Sequence, residues 1–319
     1  MEKVESPVKV RKAIIAAAGF GTRFLEWTKS MPKEMLPLIT KPIIQYVVEE
    51  LVSAGVEEIY IIGSSNKRAI EDHFDLPNSD LLDNLRAGGA KKLPYIKKVE
   101  SIASLADFTY KRQKGPYGNA TPITTAASNI GEEPFIYTFA DDFFRSGNGK
   151  GRTVQLIDTY NKYGGSVLAC KKVVDDGEYD KYGIVAGGRV DDETLLVDYI
   201  DEKPGKHNAK SNLASVSGYL FEPDMIRYLT EAEKSHDPSK GEFMIQPVMQ
   251  KMIEDGYKFY AKEVVDATYH DTGDVTEYHK TVFEFSLCDP LIGESMQKFV
   301  VDYINNNQEI GAKIKKSIK

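Results

Sequence analysis

The strongest constraint on the fold is an alternation of short apolar runs with amphipathic ones. Lys12 to Ala18 (KAIIAAA) reads as a buried strand ending at Gly19, and Glu58 to Gly63 (EIYIIG) as a second strand. Between them, Pro42 to Ala54 places Ile44, Val47, Val48 and Leu51 at the i, i+3, i+4, i+7 spacing of a helix, with Gly55 set to end it. Lys67 to Phe74 reads as a second helix. Strand, helix, strand, helix at this spacing predicts an α/β protein with a mainly parallel, mixed sheet flanked by helices. The pattern continues with strands at Phe135 to Ala140, Ser166 to Cys170, Leu195 to Ile200, Ser215 to Phe221 and Phe259 to Val264. Further helices are predicted at Thr153 to Tyr163, Glu242 to Glu254 and Val275 to Leu287. Asp75 to Lys98 is polar and weakly periodic, as suits a surface insertion. After Cys288 the chain restarts at Pro290, with Phe299, Val300, Tyr303 and Ile304 at helical spacing before a basic end, KIKKSIK. The expected division is a main domain over 10–287 and a helical tail over 288–319.

Composition narrows the class of function. Forty-one Lys and Arg against 48 Asp and Glu give a net charge of −7 over 319 residues, the wrong balance for a general nucleic-acid binder. No apolar run approaches the roughly 20 residues needed to span a bilayer. The first residues, MEKVESPVKVRK, form a polar lead-in without the apolar stretch of a signal peptide. Cys170 and Cys288 are the only cysteines, too few for a disulfide framework, so the cytoplasm is the expected location.

The chemistry begins where the first strand ends. Gly19-Phe20-Gly21-Thr22-Arg23 is a glycine loop whose backbone N–H groups can approach phosphate oxygens. A nicotinamide-dinucleotide site is disfavoured, because Phe24 stands where a third glycine belongs and Gly63-Ser64-Ser65 offers no acid for a ribose. No Gly-Lys-Ser/Thr follows, which excludes a Walker A loop. Arg23 and Lys33, the latter in Pro32-Lys33-Glu34-Met35-Leu36-Pro37, add two cations suited to a polyphosphate. Ala17 and Ala18 at the strand end, with Gly19, Gly21 and Thr22 in the loop, are the candidate nucleotide contacts.

GFGTRFLEWTKSMPKEMLPLITKPIIQYVVEE resembles the signature of sugar nucleotidyltransferases, G-x-G-T-R followed by P-K-x-x-L-P. PKEMLP, KPIIQYVVEE and the later AIEDHFD (Ala69 to Asp75) resemble the bacterial branch that joins UTP to glucose 1-phosphate. The resemblance covers about residues 10 to 286. It implies a Rossmann-like nucleotide-diphospho-sugar transferase fold and Mg²⁺ as cofactor. It also implies that Arg23 and Lys33 bind the triphosphate and stabilise the departing pyrophosphate. Glu26 departs from the family's usual proline, and Trp27 beside it is unexpected.

Arg112 to Ala120 (RQKGPYGNA) resembles the family's base-reading segment, with Asn119 in place of the common histidine. Gln113 can donate and accept in one plane along a uracil edge, and Gly118 lets the base lie against the backbone. Asp141, directly after a strand, and Asp271, in Tyr269-His270-Asp271-Thr272-Gly273-Asp274, match the family's magnesium aspartates. They offer the hard oxygen ligands that Mg²⁺ prefers. Asp142 is expected to serve a turn, Asp274 to cap a helix, and His270 to be structural or to sit behind the metal ligands.

Tyr182-Gly183-Ile184-Val185 resembles the family's sugar-side turn, and Asp201-Glu202-Lys203-Pro204 its V-E-K-P segment. Gly183, Glu202 and Glu242 are the candidate sugar contacts, with Lys203 reaching the sugar phosphate. Strand alternation would send Glu202 and Lys203 to opposite faces, so a bend is required between them. Ser211 to Ala214 (SNLA) also fits the family, whereas Ser217 and Pro247 stand where glycine and aspartate are usual. None of the five histidines forms a nucleophile or zinc pattern. The resulting expectation is Mg²⁺-dependent uridylyl transfer from UTP to glucose 1-phosphate by a homodimer or homotetramer. A dTTP-dependent or other nucleotidyltransferase, and a non-catalytic sugar-nucleotide sensor, remain as alternatives.

Overall fold

The computed structural model describes residues 8–147 and 149–317. The start of the polar lead-in (1–7) and the last two residues of the basic end lie outside the described residues. The chain runs from β1 (Lys12–Ala17) through α1 (Leu25–Thr28), the two-residue strands β2 (Pro37–Leu38) and β3 (Lys41–Pro42), and α2 (Ile43–Ser53). β4 (Glu58–Gly63), α3 (Arg68–Phe74), α4 (Ser79–Ala87), α5 (Leu93–Ala103) and β5 (Asp107–Arg112) follow. Next come α6 (Thr121–Ile130), β6 (Phe135–Phe139), β7 (Asp142–Ser146), α7 (Arg152–Tyr163) and β8 (Ser166–Lys172). β9 (Gly183–Asp191), β10 (Thr194–Glu202), β11 (Leu213–Phe221), α8 (Asp224–Ser235), α9 (Ile245–Glu254), β12 (Phe259–Glu263) and β13 (Ala267–Asp271) lead to α10 (Val275–Cys288). α11 (Gly293–Asn306) and α12 (Gln308–Ser317) form the tail.

Nine strands build one mixed sheet in the order β5-β4-β1-β6-β11-β8-β12-β10-β9. β5, β4, β1 and β6 are parallel, as is the β8–β12 pair, while β11 runs antiparallel to β6 and β8. β9 pairs with β10 and also with β11, through Ala214↔Ile184 and Ser215↔Gly183. A separate antiparallel ladder joins β13 to β7 and sets Asp271 opposite Asp142. The period of two decides the core: Ala13, Ile15 and Ala17 pack with Val47, Val48 and Leu51 of α2 on one face. Ile14 packs on the other with Ile123 and Ile130 of α6 and Met249 of α9. No helix among the described residues is long and apolar enough to cross a membrane.

Several elements depart from expectation. The helix expected from Glu242 starts at Ile245, because the Phe243 backbone pairs with Tyr117 O and Ala120 N instead. The polar insertion folds into α4 and α5, which bury Ile96 alone between them. Asn78 caps α4 by accepting from Asp80 N at 2.7 Å. The expected turn at Tyr182-Gly183-Ile184-Val185 opens a long strand, β9. β5 was hidden because an edge strand reading DFTYKR is too polar to stand out. Beyond α10 the described chain continues in α11 and α12, and α11 leaves Phe299, Val301 and Tyr303 exposed.

Candidate active site

The glycine loop leaves β1 at the C-terminal edge of the parallel strands, where open α/β sheets bind their ligands. Gly21 has φ +66°, and a Cβ there would meet Lys33 Cβ and Thr28 Cγ2 at 3.0 Å. Only glycine fits that turn without strain. The Thr28 hydroxyl donates to Gly21 O and Phe24 O at 3.0 Å, closing the loop into a one-turn 3₁₀ helix that begins at Thr22. Arg23 Nη1 donates to Gly273 O at 3.2 Å and so ties this loop to the turn after Asp271. Lys33 Nζ lies 2.5 Å from Asp141 Oδ2. Burial alone would lower the Lys33 pKa, but Asp141, Glu34 and Asp142 outweigh it and hold the ammonium well above its ordinary value.

Beneath the loop lies a cavity of about 250 Å³ lined by Ala18, Gly19, Lys33, Gln113, Gly118 and Glu242, among others. Ala17, expected to touch the nucleotide, is turned into the core at 1% exposure, and Ala16 takes the lining position. Gly118 has φ +144°, and a Cβ there would stand 2.1 Å from Phe243 O. Its lack of a side chain thus serves the crossing of two chain segments as well as the cavity wall. Asn119 Oδ1 accepts from Ile245 N at 2.9 Å and joins the same two segments. Glu242, expected beside the sugar, lines this cavity and is not among the lining residues of the second.

A second cavity, of about 160 Å³, shares Asn119 and Phe139 with the first and is lined by Asp142, Tyr182, Gly183, Glu202, Gln246 and Asp271 among its other residues. Gly183 and Glu202 are cross-strand neighbours, and a Cβ on Gly183 would lie 3.1 Å from Glu202 Oε2. Glu202 Oε2 and Gln246 Oε1 are buried without hydrogen-bond partners, two acceptors suited to donors such as sugar hydroxyls. The required bend is at Lys203, whose φ of +52° ends β10. Lys203 is exposed and is not among the lining residues of either cavity, with Nζ 3.4 Å from Glu202 Oε1.

The acidic groups meet between the cavities. Asp141 Oδ2 and Asp271 Oδ1 lie 2.6 and 3.3 Å from the point a Cβ on Gly273 would occupy, so both carboxylates converge on that glycine. Asp271 accepts from Tyr182 OH and from Gly273 N, each at 3.2 Å. Burial and the charge of Asp141 nonetheless push its pKa up. Asp142 belongs to a strand, not to a turn as expected. Its Oδ2 accepts from Tyr269 OH at 3.0 Å, and its Oδ1 is buried without a partner. Burial first, then Asp141, raises the Asp142 pKa to about 7. Among the described residues no set of three or more His, Cys, Asp or Glu side chains could by itself hold a metal ion. Two crowded carboxylates whose remaining coordination comes from phosphates and water fit Mg²⁺. His270 points away, with Nδ1 3.1 Å from Thr281 Oγ1 and its ring stacked on Phe143. Asp274 caps α10 by accepting from Thr276 N and Glu277 N.

Asp142, Tyr182 and Gln246 line the second cavity without having been expected there from the sequence. The doubled acid at 141–142 and the tyrosine before Gly183 were visible signals, whereas Gln246 carried none.

The family model described as Nucleotidyl transferase matches residues 12–285. A UTP–glucose-1-phosphate uridylyltransferase of Bacillus subtilis is 38% identical over 304 residues, covering 94% of this chain and 99% of that relative. A solved UDP-glucose pyrophosphorylase complexed with UDP-glucose superposes with a TM-score of 0.76 at 32% identity, over 86% of this chain and 98% of the other. The UTP-bound enzyme of Acinetobacter baumannii gives a TM-score of 0.82 at 28% identity, over 92% and 99%. The chain belongs to the nucleotidyl transferase family.

Proposed function

We propose that this chain transfers the uridylyl group of UTP to glucose 1-phosphate, giving UDP-glucose and pyrophosphate. The observation that carries the proposal is the meeting of two cavities, one beneath the glycine loop and one beneath β9 to β11, at Asp141, Asp142 and Asp271. The relatives bound to UTP and to UDP-glucose support the two substrates.

A phosphate oxygen of the sugar forms a bond to the α-phosphorus, and the bond from that phosphorus to the β-phosphate bridge breaks, releasing pyrophosphate. Phosphate is already a competent nucleophile, so catalysis rests on positioning and charge neutralisation, with no Ser, Cys or His intermediate. Lys33 and Arg23 offset charge on the pyrophosphate side, and Lys203 brings the sugar phosphate toward a second anion. Gln113 reads the base edge, and Glu202 accepts from sugar hydroxyls. Mg²⁺, held by Asp141 and Asp271, supplies further neutralisation of phosphate charge when bound. The same proposal includes a homo-oligomer, two or four copies, supported by the exposed Phe299–Tyr303 pair on one face of α11. It also includes a cytoplasmic location, supported by free thiols at Cys170 and Cys288.

The test is pyrophosphate release measured over a panel of nucleoside triphosphates and sugar 1-phosphates, with and without Mg²⁺. UTP with glucose 1-phosphate should give the highest kcat/KM. A preference for dTTP would move the base assignment, and binding without pyrophosphate release would favour a sensor.

A further inference from the structure

Lys67 is a charged side chain only 3% exposed, at the entry to α3 just before the AIEDHFD segment. Its Nζ donates to Glu34 Oε1 and Oε2 at 2.9 and 2.8 Å and to Gly19 O at 2.7 Å. An ammonium has three protons, and each has a partner here. Glu34 is itself 1% exposed, adjoins Lys33, and lines the nucleotide-side cavity. The Lys67 stem passes Gly63, where a Cβ would lie 3.2 Å from its Cβ and Cγ. One buried cation thus pins the glycine loop, the PKEMLP segment and the end of β4 together.

Stability alone gives little reason for such a pair, since packed apolar residues commonly replace a buried ion pair at no loss. Geometry supplies a reason. In a trans peptide the carbonyl of one residue and the N–H of the next point in opposite directions. With the Gly19 carbonyl committed to Lys67, the orientation of the next N–H, that of Phe20, is fixed on the opposite side of the same peptide plane. We propose that Lys67, neutralised by Glu34, is a positioning residue that fixes the Gly19–Phe20 peptide so that its N–H meets the nucleotide's phosphates. This rests on the nucleotidyl-transfer assignment and adds to it a group outside the substrate's reach.

The test compares wild type with Lys67→Met, Lys67→Arg and the double variant Lys67→Met/Glu34→Met. Thermal melting is measured along with calorimetric binding of UTP and of uridine, and with both KM values. Lys67→Met alone leaves Glu34 buried and unpaired and should melt lower. The double variant should regain most of that stability yet bind UTP about tenfold more weakly than wild type, the scale of one well-placed charge-assisted contact. Uridine affinity and the KM for glucose 1-phosphate should stay within about twofold of wild type, and Lys67→Arg should recover part of the UTP affinity. Wild-type UTP affinity in the stable double variant, or an equal loss for uridine and UTP, would overturn the proposal. The wild-type protein is first titrated with UTP, dTTP and CTP. If UTP does not bind, the substrate assignment fails and the comparison is read on the triphosphate that does; binding of none of them sinks both.

Discussion

Lys203 holds a left-handed backbone, φ +52°, that a non-glycine residue adopts at a penalty of about 1–2 kcal/mol. Its charge and its strain can be separated. Lys203→Ala and Lys203→Gly should both raise the KM for glucose 1-phosphate about ten- to a hundredfold, with the KM for UTP much less affected. The glycine variant should melt above the alanine variant, because only it relieves the strain. If neither substitution changes a KM, Lys203 is a surface lysine. Its neighbour Glu202 makes a pH prediction. Burial raises the Glu202 pKa, with Lys203 opposing. Between the ordinary and the raised value the native state keeps a proton that the unfolded chain has lost, so stability falls as pH rises through that window. Glu202→Gln should therefore gain in Tm relative to wild type as pH rises above the ordinary glutamate value of about 4.3. The same variant should bind glucose 1-phosphate more weakly. Parallel pH profiles of the two proteins would remove Glu202 from this balance.

At the scale of elements, the site depends on places where segments cross without room for a side chain. The loop between β5 and α6 meets the approach to α9 at Gly118, with Ala120 N donating to Phe243 O at 3.0 Å and Phe243 N to Tyr117 O at 2.7 Å. Gly118→Ala puts a methyl group into that backbone in a conformation L-residues avoid. It should lower stability by about 2–4 kcal/mol in urea unfolding, the range of a core steric conflict. UTP binding should weaken with it, since Gln113 and Glu242 flank the crossing. Gly89→Ala is the control: its φ is also positive, yet nothing lies within 4 Å, so it carries the backbone strain without the clash.

Across the whole molecule, one buried guanidinium joins α2 and α7 to β11. Arg152, fully buried at the start of α7, donates to Glu50 of α2 through Nη2 at 2.6 Å and to Ser217 O of β11 through Nη1 at 3.0 Å. Arg152→Ala strands the Glu50 carboxylate, 11% exposed, and should destabilise by about 3–5 kcal/mol in urea unfolding. Arg152→Met/Glu50→Met should recover most of that loss, and a single variant as stable as wild type would show that the junction carries no weight. The sequence by itself determined what local rules govern. Periodicity set β1, α2, β4 and α3, the alternation set a parallel strand group, and the glycine loop, Lys33, Gln113 and the bend at Lys203 were legible from residue chemistry and resemblance. Tertiary structure alone decided which distant groups meet. Asp141 comes to Asp271 across 130 positions because β7 pairs with β13. Asp142 reaches the second cavity, Glu242 the first, and Lys67 the underside of the loop. Those placements follow from strand order and register, with β11 inserted between β6 and β8. A register slip of one residue would turn each side chain to the other face, and no local pattern encodes that choice.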